Sequence, residues 1–255
     1  MERVKTGVEG LDQALNGGIP KGNVVLVSGS AGTGKTLLCL SFVYYGATKF
    51  KEPGIYVSTD QTEEELRAEA SNFGWDLEAL EKKKMLKLYH VDVTKKEDLH
   101  YLQKIDKIVK EIKAKRIALD SLTTLTEFLA PVELKKGTKL FEVLDTLYPV
   151  AISESLFVKN VVMKIIKHLK ATKCTCMLTS ELPEEGNWLS RDTVSEFLVD
   201  GVITLRPFKY SRSDIDLVVV KLRYGSHSKD LYKIYITEKG VEVKPAEKGI
   251  VVPKL

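Results

Sequence analysis

The chain has 255 residues and a formal net charge of +4, with 44% hydrophobic and 29% charged residues. This length suffices for one large core or two small ones, and the composition is that of an ordinary soluble protein. Lysines interleaved with acids carry the charge, which describes a solvated surface rather than the one-sided basic cluster of a nucleic-acid footprint. No apolar run reaches the roughly eighteen residues of a membrane span. The start Met1-Glu2-Arg3-Val4-Lys5 lacks a signal-peptide pattern, so a cytoplasmic location is expected. Asparagine and glutamine are scarce beside lysine and glutamate, which hints at a thermophilic source.

In chain order, Thr6-Gly7-Val8-Glu9-Gly10-Leu11-Asp12 leads to Leu15-Asn16-Gly17-Gly18-Ile19-Pro20-Lys21-Gly22, a short helix or turn and a glycine-proline loop. The glycines here signal tight chain reversal. Val24-Val25-Leu26-Val27 then reads as a buried strand. It runs into Gly29-Ser30-Ala31-Gly32-Thr33-Gly34-Lys35-Thr36, which fits G-x-x-x-x-G-K-[ST] at every fixed position.

The residue types follow from the chemistry of phosphate. Gly29, Gly32 and Gly34 let the N–H groups from Ser30 through Leu37 turn toward an anion, where a Cβ would block the approach. The helix opening at Lys35 aims its positive end at the same place. Lys35 is expected to reach the terminal phosphates, and Thr36 offers a hydroxyl to magnesium. The apolar positions Leu37, Leu38, Leu40, Phe42 and Val43 continue that helix. The pattern points to a nucleoside triphosphate site.

The lead T-G-x-x-G-x-D…G-G-x-P-x-G, standing at this spacing before the loop, resembles the KaiC-like branch of the RecA superfamily of P-loop ATPases, in a single-domain, archaeal form. The resemblance implies a RecA-like α/β fold, a mostly parallel central sheet flanked by helices and closed by a C-terminal β-hairpin. It also implies ATP and magnesium as ligands, and a hexameric ring with ATP between subunits. One domain over residues 1–245 and a tail over 246–255 are expected. A second ATPase domain and a separate N-terminal DNA-binding domain are not.

Further along, Gly54 to Thr59 reads as a second strand, and Thr62-x-x-Glu65 as a capping box opening a helix through Leu66, Ala70 and Phe73. At this strand tip the family carries a glutamate pair, one of which activates water. Here Asp60 and Gln61 stand in those places. Asp60 can act as a base through a shorter arm. Gln61 cannot take a proton but could orient water. Slow hydrolysis of ATP to ADP and phosphate is expected, with a non-hydrolysing switch and an autokinase as the open alternatives.

Met85 to Val91 reads as a third strand, and Thr94-x-x-Glu97 as the cap of a helix carrying Leu99, Leu102, Ile105, Val109 and Ile112. Arg116 to Asp120 is an apolar strand ending in an acid. It puts Asp120 at the sheet edge where α/β sheets bind ligands, to hold magnesium beside Thr36. Between Thr126 and Asn160 the chain is punctuated by Pro131, Gly137 and Pro149, with a short helix over Leu140, Phe141, Leu144 and Leu147. Lys135, Lys136 and Lys139 lie there. With superfamily kinship and the modest positive charge they motivate the DNA-binding, recombinase-related alternative, which the acidic loop Glu184-Glu185 opposes.

Cys174 to Thr179 is another strand, ending at Ser180-Glu181, where the family senses the terminal phosphate. Cys39, Cys174 and Cys176 sit in apolar segments and read as buried free thiols. Glu196-Phe197-Leu198-Val199-Asp200-Gly201-Val202-Ile203-Thr204-Leu205 is similar to the family's E-F-x-x-D-x-V-x-x-L. A hairpin of Asp216–Leu222 and Leu231–Ile236 follows. Across its turn, Lys221, Arg223, Ser226 and His227 match the family residues that reach a neighbouring subunit's nucleotide. Alternation on a strand puts Lys221 and Arg223 on one face. Tyr224-Gly225 departs from the family's small pair, which puts base recognition in question. The tail from Val241 carries no readable chemistry.

Overall fold

The computed structural model describes residues 1–95, 100–135, 150–182, 188–208 and 211–246. Among these residues eleven strands form two sheets. A two-stranded ribbon pairs β1 (Arg3–Val4) with β2 (Ile19–Pro20). The large sheet has nine strands: β3 (Val24–Gly29), β4 (Gly54–Ser58), β5 (Leu86–His90), β6 (Arg116–Asp120), β7 (Thr175–Glu181), β8 (Gly201–Phe208), β9 (Ser211–Leu222), β10 (Tyr232–Thr237) and β11 (Gly240–Pro245). Their order is β11-β10-β9-β8-β3-β7-β6-β4-β5, parallel from β8 to β5 and antiparallel from β8 to β11. This is the expected α/β sheet with its closing antiparallel strands. It is extended by β11, in the stretch from Val241 that the sequence left unread.

The inner parallel strands β3, β4 and β6 are buried along their whole length because both faces are covered. Alternate residues of β3 feed two different cores. Val25 and Val27 pack with Leu38, Phe42, Tyr56, Ala118, Met177 and Ile203 under α2 (Lys35–Lys49). Val24 and Leu26 pack with Ile55, Val57, Ile117 and Leu119 on the other face. That second face is closed by α5 (Tyr101–Ile112), through Ile105 and Ile112, and by α7 (Val150–Ala171), through Val162, Ile165 and Leu169. The remaining helices are α1 (Leu11–Ala14), α3 (Glu63–Ser71), α4 (Leu77–Lys82), α6 (Leu122–Lys135) and α8 (Ser195–Leu198).

The glycine-rich lead is a structural staple. Asp12 accepts from the Thr6 N–H and hydroxyl, both at 2.7 Å, and from the Gly7 N–H at 3.3 Å. The capping box of α3 is present as expected: Thr62 accepts from the Glu65 N–H, and Glu65 accepts from the Thr62 N–H at 2.8 Å. The cap expected at Thr94 cannot be followed, because its partner Glu97 lies outside the described residues. Helix α5 begins at Tyr101 without a side-chain cap, and the Thr94 hydroxyl bonds Asp92 at 2.6 Å. The bonds from Thr94 hold the Asp92 carboxyl below its ordinary range, with a pKa of about 2. Glu97, the helix over 140–147, the acids of 183–187 and Lys136 and Lys139 lie outside the described residues, as does the side chain of Lys135. All three cysteines are free and buried.

Candidate functional site

Four neighbouring strand ends converge at the carboxyl edge of the sheet. In register, Gly29 of β3 stands beside Glu181 of β7, Leu178 of β7 beside Leu119 of β6, and Asp120 of β6 beside Ser58 of β4. The phosphate-loop residues, Asp60, Asp120 and Glu181 therefore share one rim, although far apart in sequence.

The loop is shaped by close approach and by backbone handedness. A Cβ on Gly29 would lie 2.6 Å from the Thr33 hydroxyl and 2.7 Å from the Leu205 carbonyl. Gly32 and Gly34 hold φ of +76° and +82°, a region that glycine enters without strain. Around Gly32 nothing would meet an added Cβ within 4 Å, so this side of the loop opens outward.

Helix α2 starts with Gly34 as its N-cap and no side-chain cap, and the Leu38 N–H is the first to bond back, to Gly34 at 2.9 Å. The first-turn N–H groups consequently have no intrahelical acceptor, the arrangement that receives an anion. Lys35 is buried, and its Nζ donates to the Gly29 and Ser30 carbonyls at 2.9 and 2.8 Å. Burial lowers the affinity of this ammonium for its proton. The fields of Glu181, Asp120 and Asp60 work in the opposite direction.

Asp120 is buried, and each carboxylate oxygen is held by one hydroxyl. Tyr56 donates to Oδ2 at 2.7 Å, and Thr179 to Oδ1 at 2.5 Å. Each oxygen keeps capacity for a second partner. Burial, and then the Asp120 charge, push the Tyr56 phenol well above its usual range, which keeps it a donor. A buried carboxylate on the same rim as the Lys35 ammonium, with Thr36 one residue beyond Lys35, is a donor set that fits a hard cation bridging to phosphate.

Asp60 is exposed at the tip of β4. The Thr59 and Thr124 hydroxyls both donate to its Oδ1, at 3.0 and 2.8 Å, and among the described residues Oδ2 has no hydrogen bond. Gln61 is turned the other way, its amide donating to Glu69 of α3 at 2.9 Å. Glu181 is exposed, with its N–H on the Thr123 hydroxyl at 3.0 Å. Ser180 is buried and accepts from the Arg191 N–H at 3.3 Å. Thr59, Thr124, Thr123, Thr179 and Tyr56 escaped the sequence reading. A hydroxyl within a strand or on a helix start carries no local sign of the carboxylate it will meet.

Lys221 and Arg223 do share a face, but at the opposite rim. The Arg223 N–H bonds the Asp200 carbonyl at 2.6 Å, and the Asn23 amide bonds the Arg223 carbonyl at 3.1 Å, where β3 begins. The phosphate loop leaves the far end of β3, roughly 15 Å along the strand. Lys221 donates to the Glu196 and Val199 carbonyls at 2.7 and 2.8 Å, and Arg223 to the Phe197 carbonyl at 3.0 Å. Burial, then the Arg223 charge, pull the Lys221 ammonium below its ordinary value. Ser226 accepts from Asn16 at 3.3 Å, and His227 Nδ1 lies 2.9 Å from the Ser228 carbonyl. None of these four joins the loop of its own chain.

No helix among the described residues is long and apolar enough to cross a membrane. Comparison with known proteins gives one consistent answer. The family model described as "ATPase: KaiC" matches residues 4–152 and 135–248. The circadian clock oscillator protein KaiC of Parathermosynechococcus lividus is 30% identical over 250 residues, covering 94% of this chain and 42% of that protein. The corresponding protein of Synechococcus elongatus is 31% identical over 254 residues, covering 95% and 44%. The chain thus spans less than half the length of these relatives. A crystal structure of a KaiC-like protein from Pyrococcus horikoshii OT3 superposes with a TM-score of 0.77 at 31% identity, covering 96% of this chain and 99% of that one. By sequence, by fold and by the loop at the carboxyl rim, the chain belongs to the KaiC family of P-loop ATPases.

Proposed function

We propose that this protein binds ATP with magnesium and hydrolyses it slowly to ADP and phosphate, at sites shared between neighbouring subunits of a hexameric ring. The observation that carries the reading is the division of charge between two rims. One rim holds the uncapped helix start, Lys35 and the acids. The other holds Lys221 and Arg223, about a strand length away from any phosphate bound in their own chain. Only a second copy can bring the two together, and head-to-tail contacts that close a ring would do so at every interface.

Within that site the N–H groups of Ser30 to Leu37 bind the phosphates. Lys35 exchanges its two carbonyl partners for phosphate oxygens. Asp120 and Thr36 would hold magnesium, which when bound neutralises charge on the phosphates. Asp60, steadied by two hydroxyls, accepts a proton from the attacking water. Arg223 from the neighbour meets the charge that develops in transfer, an effect worth about a thousandfold or more. Gln61, tied to Glu69, favours a slow reaction and also motivates the second reading, a nucleotide switch that does not hydrolyse.

The test is a mixing experiment. Arg223→Ala and Lys35→Ala subunits are each expected to lack phosphate release. Mixed together they should recover part of it, because some interfaces pair an intact loop with an intact arginine. Light scattering with ATP and magnesium should show a closed assembly. A monomer under all conditions, or mixtures no better than either variant, would sink the shared site. Assembly with no turnover in the parent would leave the switch.

A further inference from the structure

We propose that Tyr224 is the stacking platform for the purine base of the nucleotide held by the neighbouring subunit. The proposal rests on the shared-site reading and extends it from the phosphates to the base.

Nothing among the described residues accounts for a tyrosine here. The ring is 70% exposed and makes no hydrogen bond or aromatic contact among the described residues. Its backbone holds φ of +63°, in the left-handed region that side chains disfavour and glycine occupies freely. A fold choosing only for this turn would be better served by glycine.

The turn itself is clamped on both sides of the tyrosine. Before it, the Arg223 N–H and carbonyl are bonded to Asp200 and Asn23. After it, Gly225 lies so close to Arg3 that a Cβ would stand 2.4 Å from the guanidinium. Arg3 also donates to the Ser226 carbonyl at 3.2 Å, and the Ser228 N–H bonds the Ala14 carbonyl at 2.9 Å. The ring is therefore presented outward from a backbone that is already ordered. Rigid presentation of a flat aromatic surface is how tyrosine contributes contact area at low entropic cost.

What the ring meets follows from its neighbour in sequence. Consecutive Cα atoms are about 3.8 Å apart. When the Arg223 guanidinium is on the terminal phosphates of the next subunit's nucleotide, Tyr224 lies beside the same ligand. The remainder of that ligand is a ribose and a base, and the part that rewards an aromatic face is the base. Stacking tolerates any base, because each has a π-face, and it gives nothing to a ligand made of phosphate alone.

The experiment uses the full chain with magnesium. Affinities for ATP and for inorganic tripolyphosphate are measured for the parent, Tyr224→Phe and Tyr224→Gly, with assembly followed by light scattering in the same samples. Glycine suits the left-handed backbone, so that variant is expected to fold and assemble. The expected result is ATP affinity weakened roughly tenfold by the glycine and retained by the phenylalanine, with tripolyphosphate binding unchanged in both. Normal assembly and unchanged ATP affinity in Tyr224→Gly would overturn the platform and leave the shared site standing. Weaker assembly with equal losses for both ligands would also overturn it, showing that the ring packs on protein. A parent that never assembles would bring down the shared site, and the platform with it.

Discussion

Helix α2 has a buried cation against each of its ends, and the two are held in opposite ways. At its first residue, Lys35 is 8% exposed and donates only to the backbone carbonyls of Gly29 and Ser30. Against its later turns, Arg116 is 0% exposed and fully engaged. Its Nε and one terminal nitrogen hold Glu52 at 2.7 and 2.5 Å, and another terminal nitrogen donates to the Phe42 carbonyl at 2.9 Å. The guanidinium also lies 4.7 Å from the Phe42 ring centre and 5.2 Å from that of Phe50. Burial lowers the proton affinity of both groups. Arg116 has a carboxylate in contact to offset this, whereas Lys35 has acids only at a distance. One cation is a structural tie. The other is kept available for a polyanion that is not part of the chain.

Removing each cation should separate the two roles. Arg116→Ala leaves a void and strips Glu52 of its partner, and is expected to cost about 3–5 kcal/mol of folding stability by denaturant unfolding. At low denaturant the folded fraction should still bind ATP. Lys35→Ala should do the reverse. ATP affinity, followed by calorimetry, is expected to fall on the order of a hundredfold or more, since at least two charge-assisted bonds to phosphate are lost. Stability should stay within about 1 kcal/mol of the parent, because the residue lost is a buried charge without a contacting counter-ion. A large loss of stability in Lys35→Ala, or of binding in Arg116→Ala, would erase the distinction.

A smaller change probes the Arg116 tie from the helix side. A Cβ on Gly46 would lie 2.4 Å from the Arg116 Cδ and 2.5 Å from its Nε. Alanine is the better helix former by about 1 kcal/mol. Overpacking costs about 1–3 kcal/mol. Gly46→Ala is thus expected to lower stability by about 1 kcal/mol, against the usual gain in a helix. A thermal melt that shows stabilisation would mean that Arg116 shifts aside without loss.

The parts of the site that were legible are those set by residues a few positions apart. The phosphate loop is one case, since its handedness, its glycines and its lysine all belong to a single strand-to-helix turn. The capping box at Thr62 and Glu65 is another. At Thr94 the hydroxyl donates to Asp92, a partner two residues back that the sequence reading did not name. Spacing names the groups that could pair, and local competition chooses among them.

Asp120 shows where a sequence reading stops. Its place at the end of an apolar strand is visible in the chain. That Tyr56, 64 positions away, and Thr179, 59 positions away, each hold one of its oxygens is not. Neither hydroxyl differs in sequence from any other strand residue, and the parallel register of β4, β6 and β7 alone brings them together.

By itself the sequence determined the α/β alternation, the loop that receives phosphate, the family and the identity of the groups at the sheet rim. Hydrophobic period and glycine placement are properties of neighbouring residues, and they act before the chain is compact. The tertiary structure decided which rim each group occupies: Lys35, Asp60, Asp120 and Glu181 at one end of β3, Lys221 and Arg223 at the other. It also decided that Arg116 belongs to Glu52 rather than to a ligand. Strand order and register are set by burying both faces of the sheet at once, a condition on the whole chain that no short stretch of it can express.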